Sequence, residues 1–170
     1  PKPVLAETLR HHQYSFLLTY ADGSPAPAFI AACNLVGQPH ELESVKKGNE
    51  NVCRARLEDA LFFYNEDIKR PLAMRLDELK GVVFHPKLGN YYEKSLRLKA
   101  LVERLAMSAF DSLSGAEIDQ IAASAALLSR CDLVTHMVYE LPSLQGVMGT
   151  HYALRDNNPP AVARAIEEMY

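Results

Sequence analysis

The sequence predicts a mainly α fold, α+β overall, in which a helical bundle follows a small β-containing segment. From residue 48 onward, apolar residues recur at three- and four-residue spacing, which is typical of amphipathic helices. The first 45 residues instead contain two short β-prone runs separated by turn residues. We therefore expect two parts. Residues 1–45 would be the C-terminal part of a preceding α/β domain, and residues 46–170 a helical domain.

In the first part, residues 16–20 and 28–33 are the β-prone runs, and residues 21–25 supply the turn. Together they predict a β-hairpin. A hairpin alone is only marginally stable in water, and the sequence offers no obvious further strands to pair with it. Because the chain also begins without Met, we expect it to be an excerpt of a longer polypeptide.

In the second part, an apolar stripe predicts a helix from residue 48 to 68, and Pro71 ends this helix or opens the next. A shorter helix through Leu72 and Leu79 is expected to stop near Gly81. Residues 82–84 would then form a buried extended link before a long helix that starts near residue 91. The stripe of the first helix consists of Cys53, Leu57, Leu61, Tyr64 and Ile68.

The remaining helices follow from capping residues and proline breaks. Ser114 and Glu117 form a capping-box pattern, which predicts a helix start. Apolar spacing then continues to Pro142, resumes over residues 144–152 and breaks at residues 156–160. A last amphipathic helix is expected over residues 162–170.

Composition narrows the class of protein. Hydrophobic residues make up 48% and charged residues 23% of the 170 residues, which is typical of globular domains and excludes disordered and collagen-like chains. No apolar run approaches the roughly 18 residues of a membrane span, so we expect no membrane association. Three widely spaced cysteines do not fit a secreted disulfide framework. A cytoplasmic location is therefore expected.

The net charge of −3 is unevenly distributed along the chain. Residues 46–104 carry 13 Lys and Arg against 9 Asp and Glu, although acidic residues predominate overall. Such a basic segment could bind phosphate groups. It could equally consist of ordinary surface helices, and composition alone leaves both interpretations open.

Several motifs of catalytic sites are absent from the sequence. It contains no GxxxxGK[ST] phosphate loop, no GxSxG elbow, no HExxH motif and no CxxC pair. Gly146-Val147-Met148-Gly149 is too short for a dinucleotide loop. Its small residues instead indicate that a helix or turn lies close to a neighbouring segment.

Asp132, His136 and Glu140 follow one another at four-residue steps, which would place three potential metal ligands on one side of a helix. Three such positions span about 12 Å of helix, so at most two could bind one ion. We favour the other interpretation, a polar seam with hydrogen bonds between successive turns.

The best candidates for binding phosphate are Lys46, Lys47, Arg54 and Arg56. They surround Gly48, where we expect a helix to open, and a helix N-terminus attracts anions through its free N–H groups and its dipole. Glu50 opposes an anion there. Arg56 could instead form an ion pair with Asp59.

At these residues the sequence resembles the β subunit of bacterial glycyl-tRNA synthetase. The resemblance begins with Gly48-Asn49-Glu50-Asn51-Val52 and covers the chain from there to Tyr170, and the preceding part more loosely. The first block continues with Arg54, Arg56-Leu57, Asp59-Ala60 and Phe62-Phe63. The later blocks are residues 81–84, 87–89, 92–94, 127–128, 131–133, 137–138, 145–149 and 152–153.

This resemblance implies a part in the ATP-dependent attachment of glycine to tRNA-Gly. In this family, the α subunit of an α2β2 tetramer holds the catalytic core and uses ATP and Mg, while the β subunit recognises tRNA. The chain would be an internal piece of the β subunit, with the α subunit and tRNA-Gly as partners. It would position tRNA or brace the assembly, without a cofactor or a catalytic residue of its own.

The resemblance also implies that residues 46–170 are an HD-like helical domain. HD phosphohydrolases bind metal through a His, a His-Asp dyad and a further Asp; here Lys94 stands at the place of the first His, and Cys131-Asp132 at the place of the dyad. A Lys ammonium has no lone pair for a metal, so we expect no metal site. The alternatives are an HD-type metal-dependent phosphohydrolase and a surface that only docks the α subunit.

Overall fold

The computed structural model describes residues 1–34, 38–109 and 115–170. They form two compact units, Pro1–Glu66 and Asp67–Tyr170. The units thus divide at the end of a helix that runs from Pro39 to Asp67, some twenty residues after the predicted boundary between residues 45 and 46. A division between domains of the family stays a prediction.

The first unit contains two helices and a β-hairpin. Helix α1 (Lys2–Gln13) ends at Tyr14, which adopts the left-handed conformation at φ 48°. Strands β1 (Ser15–Thr19) and β2 (Pro25–Ala31) pair antiparallel, with Phe16 opposite Ile30. Helix α2 (Pro39–Asp67) follows. The predicted hairpin is confirmed, whereas α1 is an element that the sequence reading did not predict.

The second unit is a helical bundle with one short β-ribbon. A 3₁₀ helix (Leu72–Gly81) leads into β3 (Val83–His85), which pairs antiparallel with β4 (Gly89–Asn90). Helix α3 packs against α4, and α7 packs against both α4 and α6. The α-helices are α3 (Tyr91–Ala109), α4 (Gly115–Leu128), α5 (His136–Glu140), α6 (Val147–Arg155) and α7 (Pro160–Glu167). Two further 3₁₀ turns are Cys131–Val134 and Pro142–Leu144.

The core of this second unit is made of aliphatic and sulfur-containing side chains from almost every element. Burial of such side chains stabilises a domain by about 1.5–3 kcal/mol each relative to exposure. Among the described residues, the large apolar side chains that are fully buried include Leu72, Leu79, Met137, Met148, Val162 and Ile166.

A mainly α, α+β fold is confirmed, and several elements begin or end as predicted. The break at Pro71, the long helix from Tyr91 and the helices on either side of residues 156–160 are all present. The predicted link over residues 82–84 is extended and runs into β3 (Val83–His85), but Val83 is 70% exposed rather than buried. Ser114 of the predicted capping box lies outside the described residues.

No helix among the described residues is both long enough and apolar enough to cross a membrane.

Candidate functional site

All four predicted phosphate-binding side chains lie on α2 and are exposed. Their charges are partly neutralised within the helix. Nζ of Lys46 is 3.8 Å from Oε1 of Glu43, and Nη1 of Arg56 is 3.8 Å from Oδ2 of Asp59. The alternative ion pair predicted for Arg56 is therefore present. Exposed pairs of this kind are worth about 0–1 kcal/mol, so both cations can exchange their partners for a phosphate at little cost.

The predicted helix opening at Gly48 is wrong, because α2 begins at Pro39. Gly48 lies about 13 Å along the helix from that residue. Its N–H is therefore inside the helix and not free for an anion. At the real N-terminus, the backbone N–H of Gln38 donates to Oε2 of Glu41 over 2.7 Å, so a carboxylate already occupies this end.

The four cations do not share one face of α2. At 3.6 residues per turn, Lys47 and Arg54 lie almost in line, whereas Arg56 points to a different side. Lys46 and Arg54 line an open groove of about 1090 Å³ within the first unit. The groove is otherwise mostly apolar, and its other walls come from α1 and from the β-hairpin. Any contact with a nucleic acid would therefore wrap around the helix.

The second candidate region surrounds the positions that the HD resemblance singled out, of which Asp132 is fully buried. Its Oδ2 accepts the backbone N–H of Gly146 over 2.7 Å, and its Oδ1 accepts the hydroxyl of Tyr170 over 3.2 Å. The N–H of Gly149 also donates to this carboxylate. Burial raises the pKa of Asp132 in spite of these donors.

The two glycines are required by the close approach of other residues to Asp132. Gly146 has φ +77°, and a Cβ atom there would lie 2.6 Å from Cδ2 of Tyr170. A Cβ atom on Gly149 would lie 2.8 Å from Ile166 and 3.1 Å from Oδ2 of Asp132. The prediction that this glycine-containing segment allows close packing is confirmed.

Lys94 lies against two aromatic rings, and Cys131 is buried in the core. Nζ of Lys94 lies 3.7 Å from the ring centroid of Phe84 and 5.5 Å from that of Tyr91. Burial raises the pKa of the Cys131 thiol to about 12, and its Sγ donates to the carbonyl of Leu127. Without a metal ion, Cys131 is therefore a neutral thiol near pH 7.

These contacts favour a structural role for Asp132 over metal binding. Each of its oxygens already accepts a hydrogen bond from the protein, and the ammonium of Lys94 offers no lone pair. Among the described residues, no group of three or more His, Cys, Asp or Glu is arranged to hold a metal ion. The geometry therefore offers nothing in favour of the phosphohydrolase alternative.

The predicted seam of Asp132, His136 and Glu140 on one helix is wrong. Asp132 belongs to a 3₁₀ turn, and α5 begins only at His136. The break is at Thr135, whose extended backbone (φ −87°, ψ 150°) caps α5 while its side chain accepts the N–H of Val138. Asp132 therefore faces Gly146, whereas Glu140 is exposed.

A second buried carboxylate, Asp67, was not identified from the sequence. Its side chain is fully buried and accepts the backbone N–H groups of His136 and Met137, each over 2.9 Å. It also accepts the hydroxyl of Tyr152 over 2.9 Å and lies 3.3 Å from Nη2 of the buried Arg75. This network joins the end of α2, the first 3₁₀ helix, α5 and α6. These contacts indicate that Asp67 has a structural role, in which it holds these four segments together.

Comparison with known proteins identifies one family. The profile of the glycyl-tRNA synthetase beta subunit family matches residues 1–170. Proteins called glycine–tRNA ligase beta subunit are 45% identical to this chain in Syntrophotalea carbinolica, 46% in Desulforudis audaxviator and 41% in Bacillus subtilis. Each similarity covers the whole of this chain but 24% of the relative. The chain thus spans about a quarter of the length of these relatives.

Proposed function

We propose a noncatalytic role in glycyl-tRNA synthesis for this chain, which belongs to the glycyl-tRNA synthetase beta subunit family. The observation that carries the proposal is the family match over residues 1–170, together with identities of 41–46% to beta subunits of glycine–tRNA ligase. The chain acts as a segment of a β subunit that positions tRNA-Gly or braces the subunit assembly.

The absence of a catalytic role is supported by the surroundings of Asp132. Its carboxylate holds the N–H of Gly146 and the hydroxyl of Tyr170, so its oxygens serve the fold. Activation of glycine by ATP and Mg belongs to the α subunit in this proposal. Lys94, at the place of the first His of the HD motif, has a cation where a metal ligand would be needed.

Contact with tRNA is supported by the exposed cations of α2, the set Lys46, Lys47, Arg54 and Arg56. Lys and Arg pair with phosphates in any base sequence, so they position an RNA without reading it.

The partner that supplies catalysis in this proposal is the α subunit. The two subunits form an α2β2 assembly, which is located in the cytoplasm with its tRNA substrate.

The test measures tRNA-Gly binding by the complete enzyme over a range of salt concentrations. The variant replaces all four α2 cations by Gln. If these side chains neutralise four phosphates, the slope of log K against log salt becomes shallower by about 3–4. A variant with Glu43, Glu58 and Asp59 replaced by Gln or Asn serves as the control, because it alters the same helix and removes no phosphate contact.

An unchanged slope in the cation variant would remove the RNA role from α2. Subunit bracing would then be the remaining role, and it predicts that the same variant co-purifies less well with the α subunit. A variant that binds tRNA, assembles and charges glycine as well as the wild type would contradict both forms of the proposal.

A further inference from the structure

Two cations of α3 are held in place by uncharged groups. The ammonium of Lys94 lies over the ring of Phe84 at 3.7 Å from its centroid. Arg97 donates from Nη2 to the backbone carbonyl of Leu88 over 2.9 Å. Because a ring face and a carbonyl carry no net charge, these contacts orient both side chains without neutralising their positive charges.

A third cation, Arg130, is placed in the same way. Its guanidinium carbon lies 4.1 Å from the ring centroid of Tyr170, and its Nη2 lies 3.5 Å from the carbonyl oxygen of Met169. Its Nε is buried and has no hydrogen-bond partner among the described residues. Arg130 is therefore fixed on an aromatic face, with one donor still unused.

The three cations lie in one region of the second unit. Lys94 and Arg97 are three residues apart on α3 and so share a side of this helix. Arg130 follows the end of α4 at Leu128, and α4 packs against α3. The pKa of Lys94 is lowered most by burial, and the positive charges of Arg130 and Arg97 lower it further. The positive charges of Arg130 and Arg97 therefore each act on the ammonium of Lys94.

Several other cations of this unit form ion pairs with carboxylates, for example Lys99 with Glu103 over 2.7 Å. Two acids lie beside the three cations in sequence, and both accept hydrogen bonds from the protein; the positive charge of Arg130 also acts on the Asp132 carboxylate, which offsets part of that charge. Oε2 of Glu93 accepts the backbone N–H of Asn90, and Asp132 accepts Gly146 and Tyr170. The further pairs are Arg70 with Glu78, Arg75 with Asp67, Lys80 with Asp77, Arg155 with Asp156 and Arg164 with Glu168.

Holding like charges together costs free energy that an anion would recover. Phosphate is the anion that suits a Lys and two Arg, because guanidinium groups donate two hydrogen bonds at once and an ammonium acts as a point charge. A polynucleotide backbone presents successive phosphates, so one strand can contact several cations of one region.

We infer that Lys94, Arg97 and Arg130, here called the α3–α4 cation cluster, bind backbone phosphates of tRNA as a contact separate from that of α2. This inference rests on the proposed function, because it takes tRNA as the ligand. The proposed contact lies in the region where the resemblance to HD phosphohydrolases would place a metal site. In this inference, that region binds phosphate groups of RNA instead of a metal ion.

The test uses the complete enzyme with the substitutions Lys94→Met, Arg97→Gln and Arg130→Met. Methionine keeps an unbranched apolar stem against Phe84 and Tyr170 while it removes the charge. Loss of up to three phosphate contacts makes the salt slope of tRNA-Gly binding shallower by about 2–3. Thermal unfolding of the variant checks that the fold is retained.

The matched control replaces three ion-paired cations of the same unit, with Lys80→Met, Lys99→Gln and Arg164→Met. It changes the net charge by the same amount, and Lys80 also lies over an aromatic ring, that of Tyr92, at 4.6 Å. A shallower slope in the first variant alone supports the inference. An equal change in both variants, or no change in the first, overturns it.

If the triple variant does not fold, Arg97→Gln decides the question, because Arg97 is exposed and its side chain donates to the Leu88 carbonyl at the surface. The expected reduction in slope is about 1, and no reduction overturns the inference. Loss of α-subunit assembly with an unchanged slope would show protein docking and would also overturn it.

Failure of this inference can be distinguished from failure of the proposed function. If the α2 variant has a shallower slope and the α3–α4 variant does not, only the inference fails. If neither the α2 variant nor the α3–α4 variant has a shallower slope than the wild-type enzyme, the proposed tRNA contact of this chain fails as well.

Discussion

The hydroxyl of Tyr170 donates a hydrogen bond to Oδ1 of Asp132 over 3.2 Å, at a carboxylate that is fully buried. The same carboxylate accepts the N–H of Gly146 through its other oxygen. An acid that could have served as a metal ligand thus ties Tyr170, which follows α7, and the start of α6 to the turn after α4. The surroundings of Asp132 therefore lead to predictions for the stability of the protein and for its dependence on pH.

Tyr170→Phe removes the donor and leaves a buried carboxylate oxygen with one partner fewer. We expect the free energy of unfolding to fall by about 1–3 kcal/mol, as measured by urea denaturation of the complete protein or the isolated chain. Tyr139→Phe is the control, because Tyr139 is 85% exposed. Equal stability of the two variants would contradict a role for the Tyr170 hydroxyl.

The titration of Asp132 predicts a pH dependence of stability. Burial raises its pKa in the folded protein above the usual 3.8, so the folded state binds this proton more tightly than the unfolded state. The stabilisation by the neutral form is complete below about pH 3.8 and is lost as the pH rises through the folded pKa. The amide side chain of the Asp132→Asn variant does not titrate in this pH range, so the variant lacks this contribution to stability.

The measurement is the free energy of unfolding of the wild type minus that of Asp132→Asn, between about pH 3 and pH 8. This difference should fall as the pH rises and then level off. A difference that increases with pH would mean that hydrogen bonds from Gly146 and Tyr170 outweigh burial, contrary to the raised pKa.

Asp67→Asn tests the buried network around the end of α2. The substitution removes a charge that lies 3.3 Å from Arg75, whose side chain is also buried. Breaking a buried pair typically costs about 3–5 kcal/mol, and we expect a loss of stability of that order. Asp77→Asn breaks the exposed pair with Lys80 and should cost about 0–1 kcal/mol. Similar losses in both variants would refute a special role for Asp67.

Two glycines are expected to respond to alanine with opposite signs. Gly48→Ala lies within α2 with nothing within 4 Å of the added Cβ, so it should stabilise the chain by about 0.5–1 kcal/mol. Gly146→Ala forces a Cβ against Tyr170 at a positive φ and should destabilise by more than about 1 kcal/mol. Thermal unfolding midpoints provide the comparison. Destabilisation by Gly48→Ala would contradict the helix through this residue.

Local patterns predicted the elements whose signals are continuous in sequence. The hairpin follows from two β-prone runs around a turn, and the break at Pro71 follows from the chemistry of proline. Helix α1 was missed although it has 12 residues; it starts beside prolines, which disfavour a helix interior but are compatible with a first helical turn. Gly48 misled the prediction of α2, since a glycine weakens a helix without ending it.

The buried polar contacts could not be predicted in this way. Asp67 meets His136, Met137 and Tyr152, all about 70 or more positions away along the chain. No periodicity within a helix encodes such pairs. Asp132 could be singled out by family resemblance, but its contact with Tyr170 depends on how α7 packs.

The most direct test of the central claim, that this chain works by contact and not by catalysis at Asp132, is elemental analysis of the purified complete protein. Wild type and Asp132→Asn are compared, together with their hydrolysis of a phosphate monoester. The account predicts equal metal content and no hydrolysis that depends on Asp132. Stoichiometric Mn, Fe or Zn that is lost with Asp132→Asn, along with phosphatase activity, would contradict it.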